Sequence, residues 1–376
     1  MSDIVYAIYW ACLLMLVYIF AGYPLGILSV SRLLPRRICK LSLTPTVTVV
    51  MAVHDGAAQI QAKLANLLEL DYPGEHMDIV LACDGCHDDT AALCRKFPGL
   101  RIQVLEFMER RGKAACLNDA VSAATGELLL MTDVQYQLDR RALRELVANL
   151  SDPRVGVAGG GLRLPDANTG FARGMDIYWR YETMINRAES CSGSTVGVTG
   201  ALYAMRRELF QPLPPGTVLD NVLAPMNAVA AGYRVILEPL ALAWNCSSQD
   251  PADERRCQIR TLAGEYQLVQ LMPGLLLPWR NRIWARFVSH KLLRLLAPWL
   301  LLMLAMCSMA MATRHRICAL TMLALLGGLT LLLLDRLMPV PKRWLPIRLT
   351  VAFSHVNLSA AQALMTFARN RGLQLW

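Results

Sequence analysis

Acidic residues follow several short apolar stretches in the middle of the chain. Asp55 comes after "PTVTVVMAVH", Asp84 closes "MDIVLACD" and Asp133 closes "GELLLMTD". Comparable turn or strand-end positions are taken by Asp88, Asp220 and Glu238. Any one of them alone is more often a turn former or a helix cap. Carboxylate oxygens suit Mg²⁺ or Mn²⁺, which usually take one or two carboxylates together with phosphate oxygens. As a set, these residues predict a site for a divalent cation and a nucleoside diphosphate.

The stretches that carry these residues alternate between strand-like and helix-like patterns. "VTVVMAV", "MDIVLAC", "RIQVLEF" and "GELLLM" are typical of strands, and the segments between them have helical spacing. This alternation predicts an α/β domain with a mostly parallel sheet and helices on both faces. Ligands of such sheets bind beyond the carboxyl ends of the strands. We therefore expect Asp84 and Asp133 to lie at one edge of the sheet.

Other kinds of site find little support in the sequence. It contains no glycine-rich phosphate loop with a lysine, no G-x-S-x-G and no HExxH. Cys83 and Cys86 form a C-x-x-C, but no second pair has a spacing that would complete a zinc site. We interpret them as loop cysteines in a reduced compartment.

Four apolar runs indicate attachment to a membrane. They are Ile4–Ser31, Leu295–Thr313, Ile317–Leu334 and Leu349–Ala368. A membrane-spanning helix needs about 20 apolar residues, so the first three are predicted to span. The last contains His355, Asn357 and Gln362, and its spanning stays open. The first run is too long for a cleaved signal and is interpreted as a retained anchor.

The formal net charge of +9 arises from basic residues that cluster beside the apolar runs. Arg32–Lys40 follows the first run, and Arg336–Arg348 follows the third. This placement favours anionic lipid headgroups over nucleic acid as a partner. Positive charge also favours the cytoplasmic side, although the Arg314–Arg316 loop opposes this orientation. The sequence predicts a multi-pass protein of the cell inner (plasma) membrane whose catalytic domain is cytoplasmic.

Seven stretches between Pro45 and Leu296 carry a family resemblance. They are "VTVVMAVHDGAAQI", "LDYP", "DGCHDDT", "RRGKAACLNDAVSAATGELLLMTD", "GVTGALYAMRRELF", "LDNVLAPMNAVAAGYRVILEP" and "IRTLAGEYQL". In this order they resemble glycosyltransferase family 2, the inverting GT-A-fold enzymes, and especially its membrane-anchored polysaccharide synthases. The resemblance implies an α/β GT-A domain with a mixed sheet plus N- and C-terminal transmembrane helices. The expected divisions are an anchor (1–40), the GT-A domain (41–272), an amphipathic interfacial helix (273–294) and transmembrane helices (295–376).

The resemblance also implies roles in binding the nucleotide sugar. Asp55 would lie at the uracil or ribose end, and Asp84 would bond the base or ribose. Arg111 and Lys113 match the family's RxGK, which contacts the diphosphate. Asn118 would order that loop.

The remaining implied roles concern the metal and the transfer reaction. Asp133 matches the first aspartate of the metal-binding D-x-D and would hold Mg²⁺ or Mn²⁺. Gly200 and Ala201 match the acceptor-side loop, and Asp220 matches the acidic pair that carries the general base. Arg260 matches the arginine of Q-x-x-R-W near the diphosphate.

Several positions depart from the family pattern. Gln135 replaces the second D-x-D carboxylate, and the Q-x-x-R-W stretch begins with Cys257 and ends with Thr261. The register that aligns "LDNV" with the family's "GEDL" places Asn221 at the base position. An amide cannot accept the acceptor's proton, and such assistance typically contributes 10²–10⁴-fold. Either Asp220 is the base or the enzyme is impaired.

Two functions follow from these expectations. The first is a membrane-bound inverting glycosyltransferase that moves a sugar from a nucleotide-diphosphate donor to a lipid-linked or polysaccharide acceptor, in exopolysaccharide or cell-envelope glycan biosynthesis. Transfer of single sugars is favoured over processive synthesis. The alternative is a catalytically impaired family-2 homologue that acts as a scaffold or partner among polysaccharide-assembly proteins.

Overall fold

An eight-stranded mixed sheet forms the centre of the domain, with the strand order β3-β2-β1-β4-β7-β6-β8-β5. The computed structural model describes residues 2–163, 170–245, 251–337 and 345–369. The strands are β1 (Val47–Val53), β2 (Met77–Asp84), β3 (Ile102–Phe107), β4 (Leu128–Met131), β5 (Tyr136–Leu138), β6 (Val155–Arg163), β7 (Tyr203–Arg206) and β8 (Arg234–Asn245). Strands β1 to β4 are parallel to one another, whereas β7 is antiparallel to β4 and β6. The sheet is therefore mixed, and less parallel than the strand–helix alternation alone predicts.

Helices cover both faces of the sheet. In the domain they are α3 (Ala57–Leu68), α4 (Thr90–Lys96), α5 (Lys113–Ala123), α6 (Ala142–Leu150), α7 (Gly170–Ser192), α8 (Asp220–Ala230) and α9 (Pro251–Leu271). Successive strand residues point to opposite faces, and β1 has buried residues on both. Val49 and Met51 belong to one apolar core, and Val50 and Ala52 to the other.

The parallel strands bring the predicted acidic residues to one edge. Strand β1 pairs with β2 through Val53 opposite Cys83, and with β4 through Val50 opposite Met131. The residues that follow β1 and β4 and the last residue of β2 therefore share the carboxyl end of the sheet. This edge contains Asp55, Asp84 and Asp133.

Three helices of the described chain are long and apolar enough to cross a membrane. They are Ser2–Leu33, Trp284–Met311 and Arg316–Leu334. The first comprises α1 (Ser2–Val17), a π-helical turn (Tyr18–Gly22) and α2 (Tyr23–Leu33). The second comprises α10 (Trp284–Arg286), a π-helical turn (Phe287–Leu292) and α11 (Leu293–Met311), and the third lies within α12 (Arg316–Leu337). The fourth apolar run forms α13 (Leu345–Arg369), which packs along α9 and is not among the three.

Residues 273–294 do not form the single interfacial helix expected from the sequence. A short 3₁₀ turn covers Pro273–Leu276, and the next helix starts at Trp284 and continues into α11. The buried Asn281 side chain fixes the turn between them, since it donates to the Leu275 carbonyl and accepts from the Ile283 amide, both at 3.0 Å. Local side-chain bonds of this kind compete with helical backbone bonds.

A buried polar cluster joins the first and second candidate spans to the domain. His290 of the second candidate span lies 2.8 Å from Glu189 and 2.9 Å from Glu182 of α7. Tyr23 of α2 donates to Glu189 at 2.5 Å, and Arg294 pairs with Glu182. Buried charges require such partners, because an unpaired charge in a low-dielectric interior is strongly destabilising. The cluster therefore fixes the anchor helices relative to α7.

Candidate active site at the carboxyl edge of the sheet

Lys113 lies between two carboxylates at the carboxyl edge of the sheet. Its Nζ is 2.9 Å from Asp133 Oδ1 and 3.4 Å from Asp220 Oδ1. Lys113 begins α5, Asp133 follows β4, and Asp220 begins α8. Three elements that are distant in sequence therefore bring one ammonium and two carboxylates together. We call these three residues the carboxylate–lysine triad.

The triad is electrostatically coupled. Burial opposes the charge on Lys113, but the carboxylates of Asp133 and Asp220 outweigh burial and raise its pKa above the ordinary lysine value. Burial raises the pKa of Asp220, and the Lys113 ammonium partly offsets that rise. A raised carboxyl pKa makes Asp220 a stronger base than an exposed aspartate. Asp133 is more open, with a side chain 24% exposed against 7% for Asp220.

Asp84 holds the loop that precedes α5. Its two carboxylate oxygens accept hydrogen bonds from the backbone amides of Arg111, at 2.6 Å, and Gly112, at 2.9 Å. Gly112 has a φ of +88°, a conformation that disfavours other residues. The Asp84 side chain is fully buried. The resemblance assigned this residue to the base or ribose, but here its oxygens bind the backbone and position the Arg111–Lys113 loop.

Arg111 and Asn118 differ in what they contact. The Arg111 guanidinium lies over the Phe107 ring, 4.4 Å from its centroid, and donates to Asp119 at 2.7 Å. It is held at the rim of the site and remains accessible to an anion. Asn118 instead makes two hydrogen bonds with the backbone of Leu213, at 2.8 and 2.9 Å. It therefore orders the segment before α8 rather than the Arg111–Lys113 loop.

The acceptor-side residues form a loop against the start of α8. The Asn221 side chain donates to the Val198 carbonyl at 2.6 Å. A side chain added at Gly200 would lie 3.7 Å from the Asn221 amide carbon. The Ala201 carbonyl accepts from Thr132 at 2.8 Å, which ties this loop to the residue before Asp133. Asn221 thus supports the loop, and its neighbour Asp220 supplies the carboxylate in the triad.

Asp55 lies at the same edge with an exposed side chain. It has a φ of +49°, which aspartate tolerates better than most residues. Its carboxylate accepts from the His87 amide at 2.7 Å. Potential ligand atoms of Asp55, Cys86 and Asp88 lie within 4.8 Å of one another. Asp88, however, already accepts hydrogen bonds from the backbone amides of Thr90 and Ala57, so this cluster is explained by turn and helix-end bonding.

Two other predicted positions lie toward solvent. Gln135 is exposed beyond β4, and Arg260 is exposed on α9. Within the described residues Arg260 forms no ion pair with the triad. The assignment of Arg260 to the diphosphate stays a prediction.

Two residues of this region are not predicted by the sequence. Lys63, on α3, is 1% exposed and donates to Thr132 at 3.1 Å and to the Tyr136 carbonyl at 2.5 Å. These two bonds hold the chain segments before and after Asp133. Tyr203, on β7, is equally buried beside the triad. A lysine in an amphipathic helix and a tyrosine in a strand carry no sequence signal for such positions.

The chain is similar to several known proteins. Residues 48–213 match the model of Glycosyl transferase family 2. The poly-beta-1,6-N-acetyl-D-glucosamine synthase of Staphylococcus aureus (strain COL) is 24% identical over 204 residues, 53% of this chain and 49% of that protein. The probable glycosyltransferase YdaM of Bacillus subtilis (strain 168) is 22% identical over 254 residues, 62% of this chain and 59% of that protein. The chain thus spans about half the length of the synthase that it matches.

A solved structure shares the fold over nearly the whole chain. The mannosyltransferase PcManGT from Pyrobaculum calidifontis, in complex with GDP-Man and Mn²⁺, superposes with a TM-score of 0.73 at 24% identity, covering 98% of this chain and 99% of that one. The likeness extends beyond the family match to the apolar helices. Residues 48–213 therefore resemble glycosyltransferase family 2, and the chain shares the GT-A fold.

Proposed function

We propose that this protein is a membrane-bound inverting glycosyltransferase that uses a nucleotide-diphosphate sugar. The observation that carries the proposal is the carboxylate–lysine triad at the carboxyl edge of the sheet, with Lys113 2.9 Å from Asp133 and 3.4 Å from Asp220. Asp133 is suited to bind a cation, Lys113 to bind a phosphate and Asp220 to accept a proton. A transfer from a nucleoside diphosphate needs all three.

Asp133 is suited to hold a divalent cation. Its carboxylate lies at a strand end and is partly exposed, and hard oxygen ligands together with substrate phosphates are what Mg²⁺ or Mn²⁺ prefers. The cation would neutralise charge that builds on the leaving diphosphate. The mannosyltransferase with GDP-Man and Mn²⁺ supports the same chemistry here. Gln135 adds no second carboxylate, so the remaining ligands would be diphosphate oxygens and water.

Lys113 and Arg111 are the basic groups for the diphosphate. Lys113 would turn from the carboxylates toward the phosphate oxygens when the donor binds, and the exposed Arg111 guanidinium would contact them from the rim. Cationic donors stabilise negative charge on a leaving phosphate most strongly where water is excluded. The loop amides held by Asp84 position the backbone from which both side chains extend.

Asp220 is the proposed general base. The acceptor hydroxyl oxygen attacks the anomeric carbon of the sugar as the bond to the diphosphate oxygen breaks. The hydroxyl proton passes to the Asp220 carboxylate, and the nucleoside diphosphate leaves from the opposite face, which inverts the anomeric configuration. The buried position of Asp220, which raises its pKa, supports this role.

The acceptor is proposed to be a lipid-linked glycan or a polysaccharide. The synthase of Staphylococcus aureus supports a product of the exopolysaccharide or cell-envelope class. The three candidate spans support a location in the inner (plasma) membrane, with the domain on the cytoplasmic side where the basic clusters lie. Transfer of single sugars, rather than processive synthesis, stays our proposal.

The impaired-homologue alternative rests on Asn221 together with Gln135 and the Cys257–Thr261 stretch. Because the Asn221 amide has a structural partner in Val198 and Asp220 provides a carboxylate, this observation favours an active enzyme.

A transfer assay tests the proposal. Purified protein in lipid vesicles would be given UDP-, GDP- and dTDP-sugars with Mn²⁺ and membrane lipid extract, and release of nucleoside diphosphate would be measured. Wild type should release one nucleotide, and Asp220→Asn should lower the rate by about 10²–10⁴-fold while its affinity for that nucleotide stays within about twofold. Equal rates for the two proteins would exclude Asp220 as the base.

A further inference from the structure

Tyr203 carries an unexplained polar group inside the domain. It opens β7 and is 1% exposed. Within the described part of the chain its hydroxyl has no hydrogen-bond partner. Buried polar groups are nearly always paired, since an unmet hydrogen bond destabilises the folded protein. Such a hydroxyl indicates that Tyr203 forms its hydrogen bond in another state of the site.

Strand register locates this hydroxyl on the side of the triad. Tyr203 lies directly opposite Met131 in the antiparallel pair of β4 and β7, and residues directly opposite each other share a face. Both side chains belong to the core on the α5 and α8 side of the sheet. Lys113 begins α5 and Asp220 begins α8. Asp133 follows Met131 by two positions, just beyond the strand end.

Two carboxylates of the triad, Asp220 and Asp133, act electrostatically on Tyr203. Burial raises the pKa of the Tyr203 phenol well above its ordinary value, and the carboxylates of Asp220 and Asp133 raise it further. The phenol therefore stays protonated at neutral pH. It can donate a hydrogen bond to a carboxylate.

Donor binding would remove the ion-pair partner of Asp220. Asp220 is 5% exposed, and its charged neighbour is Lys113 at 3.4 Å. If Lys113 turns to the diphosphate, an ionised carboxylate remains buried without its ammonium. This is strongly unfavourable unless another donor replaces the ammonium.

We propose that Tyr203 is a positioning residue of the transfer reaction, whose hydroxyl donates a hydrogen bond to Asp220 when Lys113 turns to the donor diphosphate. The inference rests on the proposed function, because the donor is the group that draws Lys113 away. Tyr203 then keeps Asp220 ionised and oriented toward the acceptor hydroxyl. It acts through Asp220 and does not itself contact the sugar.

A double-mutant cycle on nucleotide binding tests this role without an activity assay. Calorimetry with Mn²⁺ would compare wild type, Tyr203→Phe, Asp220→Asn and the double variant, using the tightest binder among UDP, GDP, ADP and dTDP. Tyr203→Phe should weaken binding roughly tenfold, the effect of one hydrogen bond to a charged group. In the Asp220→Asn background the same substitution should change affinity less than about twofold, because no carboxylate remains to be stabilised.

Tyr72→Phe is the matched control. The Tyr72 hydroxyl donates to the Pro45 carbonyl at 2.6 Å, away from the triad. This variant should keep full affinity with a lower Tm, whereas Tyr203→Phe should not lower the Tm of the nucleotide-free protein. Unchanged affinity of Tyr203→Phe, or an equal loss in both backgrounds, would overturn the role of Tyr203. Failure of wild type to bind any of the four nucleotides would instead overturn the proposed function.

Discussion

The side-chain amide of Asn221 donates a hydrogen bond to the main-chain carbonyl of Val198 at 2.6 Å. The Val198 amide returns a bond to the Asn221 carbonyl at 3.2 Å. This pair closes the loop containing Gly200 against the start of α8. An ionised carboxylate at this position could not donate to the carbonyl. The amide therefore suits the position, which leaves Asp220 as the proposed base.

Asn221→Asp should consequently damage the protein rather than restore a missing base. We expect stability to fall by about 1–3 kcal/mol, because two acceptors would face each other, and turnover to fall with it. Thermal unfolding and nucleoside diphosphate release measure the two effects. A large gain in turnover would instead support the impaired-enzyme interpretation and contradict the role given to Asp220.

Lys113→Met removes the ammonium while keeping a side chain of similar length. Binding of the nucleoside diphosphate should weaken by roughly 10- to 100-fold, because a charge-assisted bond to phosphate is lost. Calorimetry at fixed Mn²⁺ measures this change. Lys96→Met, at an exposed lysine at the end of α4, is the control and should bind as wild type does. Equal affinity of the two variants would mean that Lys113 serves the carboxylates alone.

The sequence predicted the sheet edge better than it predicted individual roles. Asp84 and Asp133 were expected at one edge because a strand's period and its terminal polar residue are local features, and β1, β2 and β4 do share that edge. The separate roles of Asp220 and Asn221 depend instead on where α8 begins relative to Val198. That relation joins segments distant in the chain, so no local pattern encodes it.

Other features could not be predicted from the sequence for a similar reason. The resemblance implies that Asp84 bonds the base or ribose, and only the structure shows that its oxygens also bind the loop backbone. In the sequence Lys63 resembles an exposed helix lysine. Only the packing of α3 against the loop after β4 shows its contact there. The interfacial segment was predicted as one helix from its composition, but the Asn281 bonds stop it.

Asp84→Asn tests the loop that carries Arg111 and Lys113. An asparagine side chain can accept at one atom only, so one of the two backbone amides would lose its partner. We expect stability to fall by about 1–3 kcal/mol and nucleotide affinity to fall as the loop loosens. Tm and calorimetric affinity of Asp84→Asn would be compared with those of Asp89→Asn. Asp89 is exposed in the same turn region and serves as the control. Normal affinity together with lowered stability would restrict Asp84 to folding.

Asp152 should make stability depend on pH. Its bonds to the Arg154 guanidinium lower the pKa of this buried carboxyl, and it also accepts from the Cys39 amide at 3.2 Å. Because the folded pKa lies below the unfolded one, the stabilisation is present above about pH 4 and is lost as pH falls further. The Tm difference between wild type and Asp152→Asn should be largest near neutral pH and shrink below about pH 4. A difference that grows on acidification would contradict this sign.

Nucleoside diphosphate binding to detergent-purified protein, measured with and without Mn²⁺, tests whether Asp133 holds a cation at a nucleotide-donor site. Wild type and Asp133→Ala would be compared by calorimetry across UDP, GDP, ADP and dTDP. We expect one nucleotide to bind wild type, Mn²⁺ to strengthen that binding, and Asp133→Ala to remove the Mn²⁺ effect. Absence of binding to every nucleotide, or a Mn²⁺ effect retained in Asp133→Ala, would contradict it.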